Sequence, residues 1–350
     1  MESRLSHFSL VCIAVACLVI LAGGIALAEM RAPANFPVNV IVPVENGAGA
    51  GSVAGELSAD HIIRSQFLFK VIITLLRAKN SIGAGDYVFS KPENVWTVVN
   101  RLIHSEQDLP AVRVTIPEGS TVRQTATILN SALASSTSAS SSPFFAISQF
   151  NETQFLNIAS TSEGYLFPDT YLFLPNDTAT AVISIMKDNF NKKILSIQPQ
   201  INAFLASSSA AGFHATQNDV VIMASILEKE ATSTADRRII AGILWKRLES
   251  GQLLQVDPSL VYANLLAGQK LSIASTLTAD ELAGTSPYNT YRYKGLPPTP
   301  IDNPGIDALI DAVTPTATSY WYYLNDSKGV MHYSATYEGQ LANQAKYLGN

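Results

Sequence analysis

The run ASILEKEA, at 224–231, sets two carboxylic acids, Glu228 and Glu230, on either side of Lys229 at the end of an apolar stretch. Only 15% of the chain is charged, so three consecutive charges beside an apolar run call for a reason. The apolar spacing predicts a helix over 218–231. Projected at about 100° per residue, Val220, Met223, Ile226 and Leu227 form one stripe, with Glu230 at its centre. Glu228 falls about 140° from Met223, and Lys229 takes a third face. A carboxyl in apolar surroundings has its pKa raised, because desolvation disfavours the anion. It keeps its proton near neutral pH and can act as a general acid, the group that a glycosidic oxygen requires as its bond breaks. The competing reading places Glu230 at a helix end, in solvent or paired with Arg237 or Arg238.

Other segments carry groups that suit a polyhydroxylated ligand. LQVDPS supplies Gln255 and Asp257, which either meet sugar hydroxyls or hold the Glu230 region rigid. Asp257 also reads as a helix N-cap before Pro258, or as a second catalytic carboxylate. SPYNTYRY supplies Tyr288, Asn289, Thr290 and Tyr291, with flat rings for apolar sugar faces and an amide and hydroxyls for their polar edges; the alternative is a structural loop. GLPPTP, at 295–300, is a rigid extended wall. In EGYLFPDTY, Glu163 and Asp169 either line a cleft or hold their loop by backbone hydrogen bonds.

Competing chemistries find little support. There is no Walker loop and no GxGxxG before a helix. The five histidines, at 7, 61, 104, 214 and 332, lack metal-ligand spacing. Both cysteines, Cys12 and Cys17, lie in one apolar segment, which leaves the rest without a thiol nucleophile or a disulfide. A net charge of −5 gives no basic field for nucleic acid. No cofactor and no metal is implied.

The elements that must position these groups follow from pattern. At 350 residues the chain has material for two or three units. Residues 5–28 contain no Asp, Glu, Lys or Arg, and 24 residues suffice to cross a ~30 Å hydrocarbon core at ~1.5 Å per residue. The segment reads as a retained anchor (1–30), because it is longer than the usual signal-peptide core. A signal peptide cleaved after Ala26-Leu27-Ala28 is the rival, and lipidation at Cys17 a minor one. Val38, Val40 and Val42 alternate as in a strand, and helices are expected at about 52–64 and 67–78. Two strand–turn–helix units follow, at 83–105 and 111–133. Their apolar faces are Val95, Val98, Val99, Leu102 and Val122, Ala126, Leu129. Together with the lead-in they suggest a small α+β module over 31–134. A Ser-rich insertion and a connecting helix fill 135–160. From 161 to 350 the pattern is mainly helical (179–198, 218–231, 235–250, 258–266), with a strand pair across 325–329 and a last helix from about 337. The fold class is α+β: an N-terminal transmembrane helix, a small α+β module and a mainly helical domain with a few strands.

ASILEKEA, the following ADRRIIAGILWKRLESGQLLQVDPSLVYA (235–263), SPYNTYRYKGLPPTPIDNPGIDALIDAVTP (286–315) and the upstream EGYLFPDTY together resemble the endolytic murein transglycosylase family. The likeness is dense from 163 to 315 and loose before 83 and across 135–160. It implies a membrane-anchored lyase with a LysM-like module at 31–134 and an extracytoplasmic catalytic domain. Such enzymes cleave the β-1,4 bond between N-acetylmuramic acid and N-acetylglucosamine in nascent glycan strands and leave 1,6-anhydro ends. The second glutamate of their E-K-E motif is the catalytic one, which maps onto Glu230, the residue the helical projection selects independently. Glu163, Asp169, Gln255, Asp257, Tyr288, Asn289, Thr290 and Tyr291 become candidate substrate-binding residues. The implied partners are peptidoglycan glycan strands and wall-synthesis proteins in the membrane, and not nucleic acid. A non-catalytic glycan-binding scaffold, or a muramidase using Asp257 to activate water, are the alternatives.

Overall fold

The computed structural model describes residues 2–38, 40–78, 81–109, 111–138, 150–207, 210, 212–268 and 278–349. Contacts divide the chain into two compact units. The first holds Met1–Val112, Leu133–Gln149 and Leu174–Asn176; the second holds Arg113–Ala132, Phe150–Phe173 and Asp177–Asn350.

The first unit begins with helix α1 (Glu2–Met30). Its Val11–Met30 stretch has a mean hydropathy of 2.8 and is long and apolar enough to cross a membrane. An antiparallel pair follows, β1 (Ile41–Val44) with β2 (Gly85–Val88), in the register Ile41↔Val88 to Val44↔Gly85. The strand expected through Val38 and Val40 thus starts later, because β2 offers its last partner to Ile41; Val38 and Val40 are left exposed. Helices α2 (Ala50–Ala59), α3 (Gln66–Leu75) and α4 (Val95–His104) pack around Leu57, Phe69, Tyr87, Phe89 and Leu102. Ser65 and Asn94 cap α3 and α4 by accepting from the backbone N–H of Leu68 and Thr97.

The second unit opens with most of β3 (Val112–Thr115), which pairs with β4 (Thr170–Phe173), and with the larger part of α5 (Val122–Ser138). The second strand–turn–helix unit therefore packs largely here and not with the first, because its turn is tied to this unit's own loops. Ser120 bridges to Asn303, and the Val122 N–H donates to Glu163. Most of the Ser-rich stretch lies outside the described residues; α5 runs into its start. Next come α6 (Glu152–Ile158), α7 (Ala179–Ser196) and α8 (Gln198–Leu205). The single helix expected over 179–198 ends at Ser196, and Pro199 sits in the first turn of α8, where its missing N–H is harmless.

Among the described residues, six helices and a hairpin complete the unit: α9 (Gln217–Glu230), α10 (Thr234–Glu249), α11 (Asp257–Leu266), α12 (Ala279–Ala283), α13 (Ile306–Val313), then β5 (Tyr322–Asn325) antiparallel to β6 (Met331–Ser334), and finally α14 (Tyr337–Tyr347). Helix α9 is central. It packs on α8, α10, α11 and α13, and every residue from Val220 to Leu227 is buried. A stripe on one face was expected, but the helix is enclosed on all sides, as an apolar helix in the middle of a core must be. A Thr216–Asp219 capping box starts it. Gly164 turns the chain beside it at φ +87, with the place of a Cβ filled by Pro300 Cγ at 2.4 Å.

Candidate active site

The end of α9 sends its three charges in three directions. Glu228 Oε2 accepts from the Gly305 N–H at 3.0 Å, which puts a negative charge at the N-terminus of α13, where the helix dipole favours it. Lys229 Nζ donates to Gly119 O at 2.6 Å and lies 3.7 Å from a carboxylate oxygen of Asp302. Glu230, partly exposed, turns toward the hairpin and α11. The pairing with Arg237 or Arg238 that sequence left open does not form, since Arg237 Nε and Arg238 Nε both bind Asp311, at 2.7 and 2.8 Å.

Burial pushes the Glu230 carboxyl up to about 8, and the nearby negative charge of Asp257 adds to the rise. A hydrogen bond with Tyr323 and the positive charge of Arg247 act in the opposite direction. The Tyr323 hydroxyl is raised well above its ordinary range by its own burial and by Glu230. Arg247 is buried and fixed through its guanidinium, which donates to Leu254 O at 2.5 Å and to Trp321 O at 3.0 and 2.7 Å. It therefore locks the loop entering α11 to the strand that carries Tyr323. Neither residue was singled out from sequence. Tyr323 sits in an ordinary aromatic run and Arg247 in an ordinary helical run, so neither left a local signal.

Of the expected binding residues, three meet at this site. Asp257 is exposed at the first turn of α11 and accepts a short hydrogen bond from the Tyr291 hydroxyl. It is not the N-cap, a position taken by Val256, and its side chain lines a concavity together with Lys229 and Tyr262. Gln255 is exposed and held in a left-handed backbone conformation, φ +53, by its N–H bond to Thr290 O at 3.1 Å.

Asn289 and Thr290 correct the sequence reading, because their polar atoms turn inward. Asn289 is fully buried; its amide donates to Leu282 O and Gly284 O at 3.0 and 2.8 Å, and its Oδ1 accepts from the Tyr291 N–H. Thr290 Oγ1 accepts from the Val256 N–H at 3.0 Å and lies 3.0 Å from Ser259 Oγ. Thr290 stitches the 286–293 loop to the start of α11, Asn289 ties it to the end of α12, and together they aim Tyr291 at Asp257. Tyr288 packs edge-on to Tyr262, and its hydroxyl lies 2.8 Å from Thr299 Oγ1.

Glu163 is likewise internal. Its carboxylate accepts from the Val122 N–H at 2.9 Å, from Tyr262 OH at 3.1 Å and from Asn303 Nδ2 at 3.2 Å. Burial still carries it up to about 7. Asp169 binds Asn189 Nδ2 at 3.0 Å and the Thr170 N–H at 2.8 Å, with Lys193 at 3.6 Å. Glu163 and Asp169 thus hold their loops, the alternative the sequence left open.

Among the described residues, this unit includes two concavities of a size to admit part of a ligand. One, of about 310 Å³, is lined by Asp257, Lys229, Thr121, Gln124, Tyr262 and Leu265. The other, of about 400 Å³, has Leu296, Pro297 and Pro298 of the GLPPTP run as one side and Phe213, Asn218 and Leu248 among the rest.

The sequence pattern of the YceG-like family matches residues 42–346. The chain belongs to the YceG-like family. Among its relatives, a Bacillus subtilis protein named endolytic murein transglycosylase is 28% identical over 331 residues, which span 89% of this chain and 85% of that protein. A Streptococcus pneumoniae protein of the same name is 32% identical over 189 residues, 54% of this chain and 32% of the relative. The crystal structure of a yceG-like protein from Listeria monocytogenes superposes with a TM-score of 0.51 at 25% identity, covering 87% of this chain and 98% of that one. For a YceG-like chain, the match extends over the whole of the Glu230 site and over most of the first unit.

Proposed function

We propose that this protein is an endolytic murein transglycosylase, held in the membrane by α1, with the rest of the first unit and the whole of the second on the extracytoplasmic side. It cleaves the β-1,4 bond between N-acetylmuramic acid and N-acetylglucosamine in nascent glycan strands, leaves 1,6-anhydro ends, and so ends strand elongation. The observation that carries this reading is the Glu230 carboxyl, partly open to solvent and poised at about 8. At pH 7 it is protonated by roughly ten to one.

Glu230 gives its proton to the glycosidic oxygen as the C1–O bond breaks. The resulting carboxylate is met by the Tyr323 hydroxyl and the Arg247 charge, which stabilise the anion. It then takes the proton of the muramic C6 hydroxyl, whose oxygen bonds to C1. Because that hydroxyl belongs to the same sugar, proximity lowers the barrier and no water is consumed. The negative charge of Asp257 favours positive charge building at the anomeric carbon. Gln255 and Asp257 offer exposed polar groups to the sugar, with the half-buried Tyr291 bonded to Asp257 beside them. The first unit serves as a LysM-like glycan-binding module, and the partners are glycan strands and wall-synthesis proteins of the membrane.

The test is mass spectrometry of uncrosslinked glycan strands after treatment with the full chain in detergent, wild type beside Glu230→Gln. Anhydro-ended products that vanish in the variant are expected. A fully active Glu230→Gln protein rejects the assignment, and products heavier by one water move the chemistry to a hydrolase using Asp257.

A further inference from the structure

Helix α3 is apolar on both sides, yet the first unit covers only one of them. Phe69, Ile72 and Ile73 are buried in the core. On the opposite face Phe67 and Leu75 are 73% and 72% exposed, more than any other large apolar side chain described outside α1. With Val71 they recur at i, i+4 and i+8, a continuous stripe along the helix. A helix apolar all round is ordinarily enclosed, and an exposed apolar stripe marks a docking surface.

Two observations say what covers it. The chain leaving α1 has no free linker. Met30 and Ala32 pack against the core of the first unit, and Phe36 is buried there, edge-on to Phe89 with ring centroids 5.5 Å apart. Arg64, just before α3, closes the clamp by donating to Ala32 O from Nε and Nη2 at 3.1 and 2.9 Å. The N-terminus of α3 is therefore held within a few residues of the end of the apolar span. Charge is the second. Residues 61–85 include Arg64, Lys70, Arg77 and Lys79 and no Asp or Glu, in a chain whose net charge is −5. Lys70 and Arg77 are exposed beside the stripe. An apolar face flanked by basic side chains on long stems suits the boundary of an anionic bilayer.

We propose that the Phe67–Val71–Leu75 face of α3, flanked by Lys70 and Arg77, lies in the anionic lipid headgroup layer at the mouth of the α1 span. This rests on the reading of α1 as a membrane anchor. A surface-bound α3 holds the first unit at the bilayer face, where newly made strands emerge.

The full chain, made thiol-free by Cys12→Ala and Cys17→Ala, is reconstituted in vesicles of phosphatidylethanolamine and phosphatidylglycerol. A nitroxide is attached in turn at Phe67→Cys, Leu75→Cys, Ser52→Cys at an exposed position of α2, and Leu18→Cys within α1. Collision with oxygen and with a water-soluble nickel chelate is then measured. The expected oxygen-to-nickel ratio at 67 and 75 is severalfold that at 52 and approaches that at 18. Nickel-accessible labels at 67 and 75, with 18 embedded, overturn the proposal and leave the anchor standing. Labels at 67 and 75 shielded from both reagents also overturn it, because protein then covers the face. A nickel-accessible label at 18 removes the anchor and the proposal together.

Discussion

Replacing Glu230 by Gln should stabilise the protein at alkaline pH while removing its chemistry. The carboxyl is displaced from 4.5 to about 8, chiefly by burial. Each pH unit of displacement corresponds to about 1.4 kcal/mol, so ionising Glu230 in the folded site costs at most roughly 4–5 kcal/mol. The side chain is partly open to solvent, and screening reduces this to about 2–3 kcal/mol. The sign is fixed by linkage. The folded pKa is raised, so above pH 4.5 the unfolded chain loses a proton that the folded chain retains. The protonated carboxyl's contribution is complete below 4.5 and is lost as pH rises to about 8. Gln mimics the protonated acid at every pH. Wild type and Glu230→Gln should therefore match near pH 4.5 and diverge steadily to pH 8. The gap in melting temperature should reach roughly 5–10 °C, at about 2–4 °C per kcal/mol for a unit of this size. Fluorescence of Trp245, buried between Phe204 and Phe213 in the same unit, reports the transition in the full chain in detergent. Glu163, displaced to about 7, adds its own pH dependence equally to both proteins and cancels in the difference. Equal melting temperatures at pH 8 would refute the claim that burial holds the proton on Glu230.

The neighbours of Glu230 should move its titration in opposite directions. Asp257→Asn removes a charge that raises the carboxyl, so the alkaline limb of the pH–rate profile should shift down, by on the order of one pH unit. Tyr323→Phe removes a hydrogen bond that lowers it, and the same limb should shift up; shifts of the same sign would reject the electrostatic account. Lys229→Met leaves the fully buried Asp302, whose two oxygens find no hydrogen-bond partner among the described residues, without its nearest cation. Urea unfolding should show a loss of about 1–3 kcal/mol, reduced when Asp302→Asn is added. Gly164→Ala meets both a left-handed φ of +87 and Pro300 Cγ at 2.4 Å, so a loss of roughly 2 kcal/mol or more is expected in the same assay, and an unchanged midpoint would count against the tight turn.

Local features were legible in the order of residues alone. An unbroken apolar segment specified α1, and 3.6-residue periodicity located α9 to within a residue at each end and showed that Glu228 and Glu230 point apart. Desolvation of a carboxyl at the end of such a helix needs no knowledge of its neighbours' identity, which is why the raised titration of Glu230 was legible. What surrounds the carboxyl was not. Tyr323 and Arg247 reach it from a distant hairpin and from the next helix, brought there by packing that no periodicity encodes. Asn289 and Thr290 look like sugar-binding groups in a list of residue types. Only the fold turns them inward, because backbone groups at the start of α11 and the end of α12, the Val256 N–H and Leu282 O, take these side chains as their partners. Composition chooses which side chains are capable of chemistry. Which of them face the cleft is decided by the hydrogen bonds that the interior demands first.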